Sequence, residues 1–434
     1  MVIDNSSLHE KLKQQTERLH TLAYKIPYIN AILHNEVDLL CYIEHLRCFA
    51  IVYGALEHQL ENIANPTVNT VIDGYMPKFD LLQEDLKFLN AEKQRNIIPA
   101  ISTALKIADS ILLYSTENTY KLLGYLYVLE GSLNGSSILK KHILKALDFN
   151  DDNGTKYLSA NDNTNLKFWN KFISEMNKIE DISIQDDIIN AAYEIFWQII
   201  RIYEELYPYD ESKLGNHITK YNPEAGNYAI PTDPCEITAA MNAGLQCWNE
   251  FPYYEIRYAE RGRRFAVSDA VWLVTLCDLT VNNAIAQVNW LSNFLAIRGM
   301  PVYTMEFQLL ALYKELSKSI PENEKKYRIL LNVTEYMKEN RHKFISEDDF
   351  AYANVLFDKF MSETQISEMQ YSKLRINMGK LIVGSIIDDM NGIVESKNNL
   401  QKWLSDSLKF SENWIAAVSK LYIYYEHKLK NTNP

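Results

Sequence analysis

Apolar residues recur at every third or fourth position along most of the 434-residue chain, and only 14 Gly and 12 Pro interrupt them. That period is helical, so the expected fold class is all-α. The first helix is expected to start at Ser7-Leu8-His9-Glu10, a capping box in which serine oxygen and glutamate carboxylate each satisfy an orphan backbone donor. Further helices are expected over 36–63, 78–89, 93–113, 117–147, 165–179 and 183–206. From Tyr207 to Cys235 the period fails, and four prolines with two glycines mark a linker. Helical spacing returns over 236–249, 253–265, 268–298, 304–318, 323–343, 347–361, 368–395 and 398–429. Ser268-Asp269 is a candidate N-cap pair, and Gly299 with Pro301 reads as a helix stop. The expected organisation is a helical domain over 1–208, a linker over 209–235 and a second helical domain over 236–434.

Composition narrows the partners more than the fold. Hydrophobic residues at 47% and charged residues at 23% are ordinary for a soluble globular protein. A net charge of -12 argues against a nucleic-acid partner, which needs a basic surface. The 28 tyrosines follow no cofactor spacing and read as packing at helix surfaces. Cys41, Cys48, Cys235, Cys247 and Cys277 form an odd set without a CxxC pair, which suits a reducing cytoplasm better than a disulfide framework or a zinc site. The opening MVIDNSSLHEKLK has no basic-then-apolar signal pattern, and no uncharged apolar run reaches the length of about 18 residues needed to cross a bilayer. A cytoplasmic protein without a membrane partner is expected.

Two features carry candidate chemistry in the first domain. Lys13, Thr16, His20 and Tyr24 are spaced by three, four and four, so they share one helix face. His20 could present a ring nitrogen to a metal there, or could be a satisfied interface histidine. In 124–143, Gly131-Ser132 and Gly135-Ser136 repeat four residues apart, leaving a strip with almost no side chain. A helical glycine costs about 1 kcal/mol relative to alanine. The strip therefore has a purpose, either close approach of a flat ligand or tight helix–helix packing.

In the second domain Arg257, Arg261 and Arg264 fall at i, i+4 and i+7. They form either an anion-binding face or an intrahelical ladder with Glu255 and Glu260. Asp278, Gln287, Trp290 and Arg298 are polar or amphipathic residues of a pocket or of the surface. Glu17-x-x-His20 and Glu339-x-x-His342 both have di-iron spacing, but they lie on opposite sides of the linker, so a shared metal site is not expected.

Four segments, LKQQTERLHTLAY (12–24), YIEHLRCFAIVYGALEHQL (42–60), LEGSLNGSSILKK (129–141) and MNKIEDISIQDDIINAAYEIFWQIIRIYEEL (176–206), resemble heme oxygenases in order along the chain. The resemblance is to the biliverdin-producing family, and the EGS at 130–132 is shared with its bacterial phytochrome-associated branch. It covers about residues 7–208, and nothing comparable is found over 236–434. It implies oxidative cleavage of heme to biliverdin, ferrous iron and carbon monoxide, with heme as both cofactor and substrate. Dioxygen and an electron-donor protein, such as a ferredoxin or reductase, would take part, and a homodimer is a further expectation.

Residue by residue, the resemblance implies His20 as proximal ligand to heme iron, Lys13 at a propionate and Tyr53 in a distal water network. It places Gly131 and Gly135 on the distal helix over the porphyrin. Four positions depart from the usual pattern. Tyr24 replaces the glutamate four residues after the proximal histidine, and Ser132 stands where mammalian-type enzymes have aspartate. Ser136 replaces the second glycine of a pair, adding a side chain where the ring is expected. Trp169 and Ile173 replace propionate-clamping cations, leaving Lys171 as the nearby charge. Alternative readings are a non-catalytic heme- or bilin-binding protein and an unrelated oxygenase chemistry on the same fold.

Overall fold

Helix α1 (Leu8–Ala23) begins at the expected capping box: Ser7 Oγ accepts from Glu10 N at 3.3 Å, and Glu10 Oε2 accepts from Ser7 N at 2.7 Å. In the computed structural model the described residues are 6–159, 163–209, 211–215, 222–225, 228–363 and 371–432. Parts of the expected linker and residues 368–370 of one expected helix lie outside them. The chain is almost entirely α-helical and divides into two units, Met1–Thr238 and Ala239–Pro434.

After α1 the first unit continues with α2 (Pro27–Leu33), α3 (Leu39–Glu61), α4 (Pro66–Ile72), α5 (Phe79–Phe88), α6 (Ile98–Glu117), α7 (Lys121–Leu133), α8 (Ser136–Ala146), α9 (Asn163–Met176) and α10 (Ile182–Leu206). Periodicity did not show α2 and α4, because seven residues make barely two turns; each opens on a proline in its first turn, where no backbone donor is lost. Helix α3 is apolar around most of its circumference and packs against α5, α6 and α10. It is long and apolar enough to cross a membrane, but 89% of that window is buried inside the protein, as befits a central core helix.

Several tyrosines are not at helix surfaces as expected. Tyr28, Tyr42, Tyr53, Tyr125 and Tyr157 are fully buried, and their hydroxyls find internal partners; that of Tyr42, for example, donates to Gly154 O at 2.7 Å. A short antiparallel pair joins β1 (Asn96–Ile97) to β2 (Leu214–Gly215). Residues just beyond α10 therefore pair back onto the first unit.

The remaining helices are α11 (Pro234–Glu250), α12 (Pro252–Val274), α13 (Val281–Ala296), α14 (Tyr303–Ser319), α15 (Glu324–His342), α16 (Glu347–Glu363), α17 (Ser372–Arg375), α18 (Met378–Met390), α19 (Ser396–Leu404) and α20 (Glu412–Thr432). Ser268 and Asp269 are not an N-cap pair: both are buried inside α12, which runs on to Val274. The cap belongs to Thr280, whose hydroxyl accepts from Asn283 N at 3.4 Å and starts α13. Gly299, at φ +89, ends α13 as expected. Arg341 ties α14, α15 and α16 together, binding Glu306 at 3.0 Å and Glu347 at 2.9 Å over the ring of Phe350. Asp278, Gln287, Trp290 and Arg298 all lie exposed on the surface.

The expected arginine face does not form. Ala259 has φ 48 and ψ -154 inside α12, so the helix is kinked there and Arg257 falls on a different segment from Arg261 and Arg264. Arg263, outside the expected series, is the buried arginine of this helix and binds Glu260 with contacts of 2.7–3.1 Å.

Candidate functional site

The helix expected over 117–147 breaks at the glycine strip. Helix α7 ends at Leu133, α8 begins at Ser136, and the turn between them is held by i+3 bonds from Asn134 N to Gly131 O at 3.2 Å and from Gly135 N to Ser132 O at 3.4 Å. Tight turns of this kind kink helices at Gly/Ser pairs. Ser132 is exposed and its hydroxyl donates back to Leu129 O at 2.7 Å. Ser136 is buried and donates to Leu158 O at 2.9 Å. Its side chain is thus turned into the protein and does not occupy the strip.

Three glycines of this segment separate by what faces them. A Cβ on Gly124 would lie 2.3 Å from Ile188 O and 2.8 Å from Ala192 N, so this glycine permits the backbone approach of α7 to α10. The three atoms nearest to a Cβ on Gly131 would all belong to the indole of Trp169, the first at 3.2 Å. A Cβ on Gly135 would meet the hydroxyl of Tyr24 at 3.7 Å and Ser132 O of its own turn at 4.0 Å. Among the described residues, the nearest atoms from other helices at Gly131 and Gly135 belong to side chains, not backbone. Their bare surface is covered by two aromatic side chains.

The end of helix α1 supplies the Tyr24 that meets Gly135. His20 and Tyr24 are exposed and sit edge to face with ring centroids 5.1 Å apart, and Phe196 of α10 lies 6.4 Å from His20. The His20 ring makes no hydrogen bond among the described residues, and the residue is exposed. Thr16 on the same face is buried and donates to Leu12 O at 2.8 Å. Lys13 is exposed and has no ion-pair partner among the described residues. Tyr24 therefore links the histidine to Gly135, as an aromatic neighbour in place of a carboxylate.

At the other end, Trp169 of α9 packs against Tyr127 at 5.5 Å, Phe172 at 5.9 Å and His9 at 6.5 Å. His9 was not singled out in the sequence, where it reads as part of a cap. Its Nδ1 is buried without a partner among the described residues, and burial together with nearby Lys13 lowers its pKa. Lys171 forms an exposed ion pair with Asp73, so its charge is already directed to a carboxylate.

Beneath the strip lies a polar network that no spacing rule reveals. Tyr53 is fully buried, and its hydroxyl donates to Glu130 Oε1 at 3.5 Å, the residue just before Gly131. Lys78 Nζ approaches Glu130 Oε2 at 3.4 Å, with both side chains buried. Glu57 accepts from Tyr75 Oη at 2.8 Å, Lys78 N at 2.6 Å and Phe79 N at 3.2 Å. Burial pushes its pKa up to about 7, against those hydrogen bonds, and burial raises Glu130 as well. Tyr53 and the EGS at 130–132 pointed here in the sequence, while Lys78 and Tyr75 arrive from the stretch before α5. Among the described residues no three of His, Cys, Asp or Glu gather as a metal-binding group.

The heme oxygenase family model matches residues 6–205. Heme oxygenase 1 of Nostoc sp. is 24% identical over 206 residues, which are 46% of this chain and 87% of that protein. The heme oxygenase of Porphyra purpurea is 25% identical over 206 residues, with the same 46% and 87% coverage. Among solved structures, heme oxygenase-1 of the cyanobacterium Synechocystis, in complex with heme, aligns with a TM-score of 0.42 at 20% identity, covering 46% of this chain and 93% of that one. The N-terminal 200 residues or so thus match the heme oxygenase family, and the rest of the chain is assigned to none.

Proposed function

We propose that the first unit binds heme between His20 and the Gly131–Gly135 strip and cleaves it to biliverdin, ferrous iron and carbon monoxide. One observation carries the reading: Gly131 and Gly135 are met by side chains, the indole of Trp169 and the hydroxyl of Tyr24, and Tyr24 sits edge to face with His20, whose ring makes no hydrogen bond among the described residues. The residues present suit the group. An exposed imidazole is a competent iron ligand, and glycine backbone admits a flat macrocycle at van der Waals distance. Heme supplies the redox iron and the ring that is consumed, with dioxygen and electrons from a donor protein such as a ferredoxin or reductase.

The chain's own residues do the remaining work. His20 holds the ligand from the α1 side, and Lys13 offers an uncommitted cation to a propionate. Tyr53, Glu130 and Lys78 fix the end of α7 from below, so the strip is presented on a rigid base. Tyr24 and Trp169 shield the strip and have to swing aside as the ring enters. The proposed setting is the cytoplasm, as the odd cysteine set suggests, and a homodimer is compatible with it.

A second reading, a heme- or bilin-binding protein without turnover, is favoured by Trp169 covering Gly131 and by Trp169 and Ile173 standing where the resemblance places propionate-clamping cations. The test is to load the full chain with hemin, add a reducing system under oxygen, and follow the spectrum. A Soret band that decays into a broad bilin absorption supports cleavage. A Soret band that persists through repeated reduction leaves the binder.

A further inference from the structure

The second unit contains an open cleft of about 550 Å³ whose walls include Arg257, Lys373, Lys409, Tyr371, Trp403 and Phe410. That volume lies within the range of about 300–1,000 Å³ usual for small-molecule sites. We propose that this cleft binds an aromatic carboxylate, with Arg257 receiving the carboxylate and the three aromatic rings receiving the flat body.

Arg257 is built into place. Its Nη1 donates to Tyr253 Oη, which in turn donates to Gly299 O at 2.7 Å. The guanidinium carbon lies 5.1 Å from the ring centre of Tyr258, 5.5 Å from that of Trp403 and 5.7 Å from that of Tyr253. The guanidinium lies close against Gly299, where a Cβ would come within 2.3 Å of Nη1 and where φ +89 itself favours glycine. Among the described residues no carboxylate pairs with Arg257. A half-buried guanidinium ringed by aromatics keeps its remaining N–H groups available in a fixed fork, the geometry that recognises carboxylates.

Lys373 and Lys409 add charge at the mouth. Each has a nearby carboxylate, Glu255 at 3.8 Å from Lys373 and Asp406 beside Lys409. Such exposed pairs are weak and exchange readily with a ligand anion. Trp403 and Phe410 meet edge to face at 5.1 Å, Tyr371 lies 5.8 Å from Phe410, and Phe410 stacks on Trp414 at 5.3 Å, so the aromatic wall beside the cations is held by ring packing. Ala259 at φ 48 and Tyr371 at φ 60 hold strained backbone close to Arg257 and at the cleft wall. Strain of this kind concentrates where a site is held in a particular shape.

The test uses 2-naphthoate as probe and the full chain as receptor, with binding read by calorimetry and by saturation-transfer NMR. The expected result is one saturable site per chain, weakened at least tenfold by Arg257→Gln and several-fold by the double change Lys373→Gln with Lys409→Gln. Those two lysines are exposed, so the double variant decides the matter even if Arg257→Gln fails to fold. The neutral 2-naphthalenemethanol should bind at least tenfold more weakly than the acid. No saturable binding, equal binding of the neutral alcohol, binding unchanged by the double variant, or displacement by inorganic phosphate as effective as by naphthoate itself would each overturn the proposal.

Discussion

The indole of Trp169 lies over Gly131, so that a Cβ on the glycine would come within 3.2 Å of Cη2. The ring occupies the surface on which the proposed ligand would rest, and it is held there by tilted contacts with Tyr127 and Phe172 and an edge-to-face contact with His9. Displacing it costs those contacts. Trp169→Ala should therefore tighten hemin binding, by about tenfold, which corresponds to about 1.4 kcal/mol. Equilibrium titration of hemin measures this. Weaker binding in the variant would mean that the indole is part of the ligand's wall and not its cover.

The glycines separate packing from binding. Gly124→Ala drives a methyl group into Ile188 O, a backbone atom that cannot move without parting α7 from α10. A loss of about 3 kcal/mol, or failure to fold, is expected from such overpacking. Gly135→Ala adds a methyl group at ordinary contact distance from Tyr24 Oη. It should leave the thermal midpoint nearly unchanged while weakening hemin binding. Equal destabilisation by both changes would show that the strip is a packing surface after all.

Much of this site could be read from local sequence, and the part that could not is long-range. The capping box, the face shared by Thr16, His20 and Tyr24, and the paired glycines are all patterns within two or three turns of one helix. The turn at Asn134–Gly135 was harder, because glycine and serine are tolerated in a continuous helix and only the i+3 bonds show the break. Neither Trp169 over Gly131 nor Lys78 against Glu130 has a local signature; each brings together side chains from distant segments. The kink at Ala259 was illegible for another reason: alanine is the strongest helix former, so nothing in its identity announces a left-handed φ.

That kink gives its own prediction. Alanine at φ 48, ψ -154 is strained by about 1–3 kcal/mol. Glycine removes the strain and gives back about 0.5–1 kcal/mol in chain entropy. Ala259→Gly should then stabilise the second unit by about 1 kcal/mol in denaturant titration. A loss of similar size, as at a regular helical position, would contradict the kink.

Asp269 predicts a pH dependence. It is buried in α12, and burial alone pushes its pKa from 3.8 up to about 7. Below about pH 4 the group is protonated folded or unfolded. Between about 4 and 7 the native state keeps a proton that the unfolded chain has released, so stability falls as pH rises through this window and levels off above it. Each unit of separation is worth about 1.4 kcal/mol. Asp269→Asn, which carries no charge to desolvate, should flatten that slope and be the more stable protein at pH 8. Identical slopes in denaturation midpoints from pH 4 to pH 8 would show that Asp269 does not titrate in this range.

The most direct measurement is the absorption spectrum of hemin titrated into the full chain, its His20→Ala variant and its His9→Ala variant. His9 is the essential control, because its unpartnered Nδ1 makes it the other histidine near the strip. With His20 as the iron ligand, the wild type and His9→Ala should give the same Soret band, and His20→Ala should lose or shift it. A Soret band unchanged in His20→Ala would contradict heme binding through His20.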